Sequence, residues 1–221
     1  MTETLPAGPP GEVMLGGPEH PVRVVLETVR VDPPGTFSAQ HRAGRRAARA
    51  ALRRAGSAVT AVGRRPGGAP VFPAGFAGSL THTASVAVAA VAPGARGVGV
   101  DLEHRCPAPR LHRFLLDDTE RALLWPDGDR VGLRRLFAAK EAAFKALTDC
   151  RQTHGGLFWR VRLRSHEGRL WACAGDAYAL VREFCAPAFA FAVAVRVDRP
   201  PAALEPLFAS TVLHPAQQTS T

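Results

Sequence analysis

An α+β fold is predicted by three observations. Two long runs have helical spacing, several valine-rich runs alternate like strands, and one such strand pattern occurs twice along the 221 residues. A hydrophobic content of 46% supports a real core. Residues 1–20 are rich in proline and glycine and are expected to be loose. "PVRVVLETVRV" (21–31) alternates as a strand does, and "SAQHRAGRRAARAALRRAG" (38–56) reads as a helix opened by Ser38 and closed by Gly56. After the loop "GRRPGGAPVFPAGFAG" (63–78) come "SLTHTASVAVAAVA" (79–92) and "GVGVDLE" (97–103), both strand-like. "HRFLLDDTERALLW" (112–125) and "LRRLFAAKEAAFKALT" (133–148) follow as helices. The segments "LFWRVRLRS", "RLWACAG" and "AFAFAVAVRV" end the chain as antiparallel strands, before a frayed tail at 214–221. "ASVAVAAV" (84–91) and "FAFAVAVRV" (189–197) resemble each other. This fits two similar α+β halves, 21–104 and 105–213, divided near "HRCPAPR". It also fits any two half-buried strands of an alanine- and valine-rich chain.

Composition narrows the function classes. Lysine and arginine number 28 against 19 acidic residues, for a net charge of +9. Such a surface favours anionic partners, although high Ala, Arg, Gly and Pro content also fits a GC-rich genome. Nothing approaches a stretch of about eighteen apolar residues, and "MTETLPAGPPGEV" has neither the basic nor the apolar part of a signal peptide. No membrane association is expected, and the cytoplasm is the expected location. Cys106, Cys150, Cys173 and Cys185 form no C-x-x-C pair, which argues against structural zinc and agrees with a reducing compartment.

Three short stretches carry chemistry. In "GVGVDLEH", Asp101 and Glu103 project from the same face of an extended strand, while Val98 and Val100 point the other way. Adjacent carboxylates repel unless solvated or sharing a cation, so the pair is either a solvated strand end or part of a Mg2+ site. In "FAAKEAAFKAL", Glu141 and Lys145 stand at i and i+4. They form either a surface ion pair or a carboxylate for a metal and a proton beside an ammonium for phosphate. In "GSLTHTASV", His82 lies among Ser79, Thr81 and Thr83. That is an ordinary strand start or an anion pocket.

In this order and spacing the stretches resemble the three signature motifs of the 4'-phosphopantetheinyl transferases, in the enterobactin synthase component D and surfactin-type branch. "AGRRAARAAL" and "GGAPVFPAGFAGS" upstream are also similar to that superfamily, so the likeness covers most of residues 40–150. It implies a monomer of two α+β halves related by a pseudo-twofold axis, with coenzyme A in the cleft between them. It also implies transfer of 4'-phosphopantetheine to a serine of an apo carrier protein, releasing adenosine 3',5'-bisphosphate. Carried over, Asp101, Glu103 and Glu141 hold Mg2+, or equally Mn2+, and Glu141 is also the base. Lys145 neutralises the pyrophosphate, and His82 with Thr81 binds the 3'-phosphate. Lys140 and the arginines Arg45, Arg49 and Arg64 are further phosphate or nucleotide contacts, with Arg49 alternatively structural. The carrier would be acidic, matching the basic surface, and siderophore or other secondary metabolism fits better than fatty-acid synthesis.

The sequence departs from the pattern in a few places. Thr81 and Thr83 replace the usual serines and keep a hydroxyl, Ala138 stands where a hydroxyl or thiol is commoner, and Ala69 stands where many relatives carry lysine. Arg64 or Arg65 could serve in its place. Two other readings stay open: a coenzyme A-binding phosphodiesterase without transfer, and a nucleic-acid-binding module built on the arginine-rich helix. Against the second, aromatic residues are only 7% and no nucleic-acid recognition signature appears.

Overall fold

Two antiparallel sheets, each with a long helix on its outer face, build the molecule. The computed structural model describes residues 11–16, 21–148, 158–198 and 200–209, so the tail expected at 214–221 lies outside it. In the first sheet β1 (Glu12–Leu15), β2 (Val22–Arg30), β6 (Val86–Pro93) and β5 (Phe76–His82) lie side by side in that order. Two short strands, β3 (Gly63–Arg64) and β4 (Pro70–Val71), form a separate hairpin in the loop before β5. Helix α1 (Phe37–Arg54) packs Ala47, Ala48, Ala51 and Leu52 against Val25, Ala89 and Val91 of this sheet. Small residues on that face let the helix sit close, and its arginines fall largely on the other side.

The second sheet has the order β7 (Val98–Glu103), β11 (Phe189–Val197), β10 (Ala177–Ala186), β9 (Arg169–Ala174) and β8 (Arg162–His166). Helix α4 (Arg130–Leu147) covers it with Leu133, Leu136, Ala139, Ala142, Ala143 and Ala146, packed on Ala172, Ala179, Ala192 and Ala194. The inner faces share one core, where Val24, Leu26, Val86 and Val88 meet Val98, Val100, Phe191 and Val193. Each fully buried Val, Leu or Phe side chain contributes about 1.5–3 kcal/mol, so the two sheets associate as a unit.

Several elements differ from expectation. Residues 12–15 are not loose, because β1 pairs with β2 from Glu12 opposite Val25 to Leu15 opposite Val22. The run at 79–92 is a hairpin rather than one strand. Thr83 Oγ1 accepts from the amides of Ser85 and Val86 and turns the chain between β5 and β6. The stretch 112–125 splits into α2 (His112–Leu115) and α3 (Asp118–Leu124) at an extended Leu116, where Asp117 and Glu120 form a capping box. Helix α1 is capped by Thr36, whose hydroxyl accepts from the amide of Ala39, and not by Ser38. Strand β7 lies on the N-terminal side of the division drawn at residue 104, yet it pairs with β11 in the second sheet.

Candidate active site

Glycine sets the distance between the two elements that carry the motifs. A Cβ on Gly99 would lie 1.8 Å from the carbonyl oxygen of Ala142, and one on Gly97 would lie 2.2 Å from that of Ala146. Only glycine lets α4 rest directly on β7 at these points. The alternation of β7 sends Val98, Val100 and Leu102 into the shared core, so Gly99, Asp101 and Glu103 face the helix. Glu141 and Lys145, one turn apart on α4, are brought to the same place.

Asp101 is buried, at 5% exposure, and its Oδ1 is 2.6 Å from the Lys145 ammonium and 3.2 Å from the Thr81 hydroxyl. Lys145 also donates to the carbonyl of Val100 at 3.1 Å. The i, i+4 ion pair with Glu141 is therefore not the contact that forms among the described residues; Lys145 closes on Asp101 instead. Burial, then the charges of Asp101 and Glu141, push the Glu103 carboxyl up to about 7. Burial likewise raises Glu141, against the attraction of Lys145, and the Asp101 charge adds to the rise.

Asp101 and Glu141 both act on Glu103, yet among the described residues no three acidic, His or Cys side chains converge into a ready-made metal cage. The donor set nevertheless fits a hard divalent cation. All its donors are oxygens, the charge of Asp101 raises the proton affinity of both Glu103 and Glu141, and Asp101 Oδ2 is buried without a hydrogen-bond donor.

Beside these residues a cleft of about 590 Å³ runs between the loop 70–78 and the end of α4, with Arg65, Arg96, Lys145 and Arg196 in its walls. Arg96 is paired with Asp198, at 2.9 Å. Arg65 Nε is buried and lacks a partner among the described residues, which makes Arg65 a stronger candidate than the exposed Arg64. No periodicity marks it, and only the basic pair before "PGGAP" hints at it.

The remaining predicted residues divide. His82 is exposed, with its ring centroid 6.1 Å from that of His41. Partial desolvation, then His41 and Lys145, hold its pKa below the usual value. The Arg45 guanidinium donates to the carbonyls of Val62 and, at 2.7 Å, of Gly63, which ties down the loop. Burial and the nearby charges of Arg64 and Arg49 lower its pKa, so the three form one cationic cluster in which Arg49 is exposed.

Two assignments change. Thr81 is 7% exposed and its hydroxyl donates to Asp101, so it faces the carboxylate rather than a nucleotide phosphate. Lys140 is 4% exposed, and its ammonium lies 2.8 Å from Glu120 Oε2 in the interior. Its helix face turns toward α3 and β8, away from the cleft, and it is not a phosphate contact.

The pattern of the chain matches known families. A model of the 4'-phosphopantetheinyl transferase N-terminal domain matches residues 38–92, and one of the 4'-phosphopantetheinyl transferase superfamily matches residues 97–178. The chain is 36% identical over 160 residues to the 4'-phosphopantetheinyl transferase Npt of Nocardia iowensis, covering 66% of this chain and 68% of that protein. It is 37% identical over 117 residues to enterobactin synthase component D of Salmonella typhi and 34% over 116 residues to that of Salmonella typhimurium. Each of those matches spans 50% of this chain and 48% of the relative. The chain belongs to the 4'-phosphopantetheinyl transferase superfamily.

Proposed function

We propose that the protein transfers the 4'-phosphopantetheine arm of coenzyme A to a serine of an apo carrier protein, in siderophore or secondary-metabolite assembly. The observation that carries this reading is the contact of Lys145 with Asp101, whose charge acts on Glu103 and Glu141, with Lys145 also in the wall of a basic cleft. In the reaction the serine oxygen forms a bond to the β-phosphorus of coenzyme A. The phosphoanhydride bond breaks, and adenosine 3',5'-bisphosphate leaves with the bridging oxygen. Asp101, Glu103 and Glu141 would hold Mg2+ or Mn2+, which when bound supplies charge neutralisation at the pyrophosphate.

Glu141 takes the serine proton. Its raised proton affinity brings it nearer the operating pH, as a general base requires. Lys145, held by Asp101 and the Val100 carbonyl, lines the cleft and meets the phosphate charge that grows as the bond breaks. His82 binds the 3'-phosphate. Its depressed pKa leaves it a neutral N–H donor in the free protein, and an arriving dianion favours its protonation.

The Arg45, Arg49 and Arg64 cluster and Arg65 supply further positive potential for the nucleotide. A net charge of +9 favours an acidic carrier and a salt-sensitive encounter, and we place the enzyme in the cytoplasm as a monomer. The test follows adenosine 3',5'-bisphosphate release with coenzyme A, Mg2+ and an apo carrier. Asp101→Ala and Glu141→Ala should each abolish release with the fold intact. Near-normal turnover of Glu141→Ala at saturating Mg2+ would remove Glu141 as the base, and release without a carrier would indicate a phosphodiesterase.

A further inference from the structure

We infer that Thr81 is a positioning residue that aims Asp101 at the metal, a role resting on the reading above that Asp101 is a metal ligand. Strands β5 and β7 are the edge strands of their sheets and lie side by side without forming a ladder. Their outward backbone groups therefore need other partners. Side chains supply them. The Val100 amide donates to Ser79 Oγ at 3.1 Å, and the Val100 carbonyl accepts from Lys145 at 3.1 Å.

Thr81 lies two residues beyond Ser79 and so shares its face of β5. Its hydroxyl donates to Asp101 Oδ1 at 3.2 Å, and the Lys145 ammonium meets the same oxygen at 2.6 Å. Thr81 and Asp101 are 7% and 5% exposed, so water does not compete freely for the contact. With two donors on Oδ1 the carboxylate is fixed about its last torsion, and Oδ2 is left buried without an N–H or hydroxyl donor, with the Glu103 carboxyl within hydrogen-bonding reach of Asp101. Thr81 thereby selects Oδ2 as the oxygen free to ligate. Hydroxyl partners of metal-bound carboxylates act in this way, and their loss typically costs 10–100-fold in metal affinity or activity. The first sheet thus contributes to the metal side of the site through Thr81 and to the nucleotide side through the adjoining His82.

Calorimetric titration of the full chain with Mn2+, and separately with coenzyme A and 3'-dephospho-coenzyme A, tests this. Thr81→Val should raise the Mn2+ dissociation constant by about 10–100-fold and leave the ratio of affinities for the two coenzymes unchanged. Thr81→Ser should restore most of the Mn2+ affinity, which a purely steric role of the side chain does not predict. Thermal melting checks the fold, and if Thr81→Val melts early, Thr81→Ala is titrated in its place against the same two expectations. Unchanged Mn2+ affinity in the variant overturns the proposal. So does a loss confined to coenzyme A with 3'-dephospho-coenzyme A spared, since that would return Thr81 to the 3'-phosphate. Absence of Mn2+ binding by the wild-type chain overturns the metal reading itself, and the proposal with it.

Discussion

Replacing Lys140 by methionine should destabilise the protein without touching coenzyme A binding. The lysine keeps much of its apolar stem in this change and loses only the ammonium that faces Glu120 at 2.8 Å. Glu120 is fully buried, so its charge would remain in the interior without a counter-charge. Breaking a buried pair in this way costs about 3–5 kcal/mol. Glu120 still accepts from the amides of Leu163, at 2.6 Å, and Asp117, at 2.7 Å, which places the loss near the lower figure. A loss of about 3 kcal/mol corresponds to roughly 6–12 °C in melting temperature for a chain of this size.

The loss should also depend on pH. Burial already raises the Glu120 pKa, and removing the ammonium raises it further. A carboxyl raised in the folded state stabilises below its unfolded pKa and loses that contribution as pH rises through the folded value. The variant should therefore lie closer to wild type at pH 5 than at pH 8. Adding Glu120→Gln to Lys140→Met should recover a substantial part of the loss, because replacing both charges removes the uncompensated one. Urea denaturation of the four proteins of this cycle, with KM for coenzyme A, is the assay. A Lys140→Met protein of wild-type stability with a raised KM would refute the reasoning and return Lys140 to the substrate.

Three further outcomes follow from the same geometry. Gly99→Ala should cost at least about 1–3 kcal/mol in denaturant unfolding and abolish most transfer, since its Cβ meets the Ala142 carbonyl at 1.8 Å and α4 must lift from β7; wild-type activity would contradict that seat. In EDTA, Glu103→Gln should be more stable than wild type at pH 8 by about 1–2 kcal/mol and no more stable at pH 4. Its folded carboxyl, at about 7, lies above its unfolded value, so stability falls as pH rises through that window; a gain equal at both pH values in thermal melts would rule out this origin. His82→Ala should raise KM for coenzyme A while sparing kcat, and should have little effect with 3'-dephospho-coenzyme A as substrate; an equal effect on both substrates would place His82 elsewhere.

The α+β class, both long helices and the carboxylate strand could be read from local spacing. Period-two valines and the alanine-rich helical stripe report which face is buried, and burial is what sheet and helix share. That Asp101 and Lys145 come together was legible only because their stretches occur in a familiar order. Periodicity places a residue on a face but does not say which distant element covers that face. The resemblance likewise made Lys140 a phosphate contact, although its partner Glu120 lies on α3. The role of Thr81 depends on two sheet edges meeting, and that is a long-range fact no window of sequence contains. The close approach at Gly97 and Gly99 is likewise a long-range fact, set by the helix that lies over them.

The most direct test of the central claim is the intact mass of an apo peptidyl carrier protein after incubation with the protein, coenzyme A and Mg2+, beside an EDTA control. The account predicts a gain of one phosphopantetheine arm per carrier, lost in EDTA and lost when the carrier serine is replaced by alanine. A carrier of unchanged mass across peptidyl, acyl and aryl types, with the protein folded and coenzyme A bound, would contradict it.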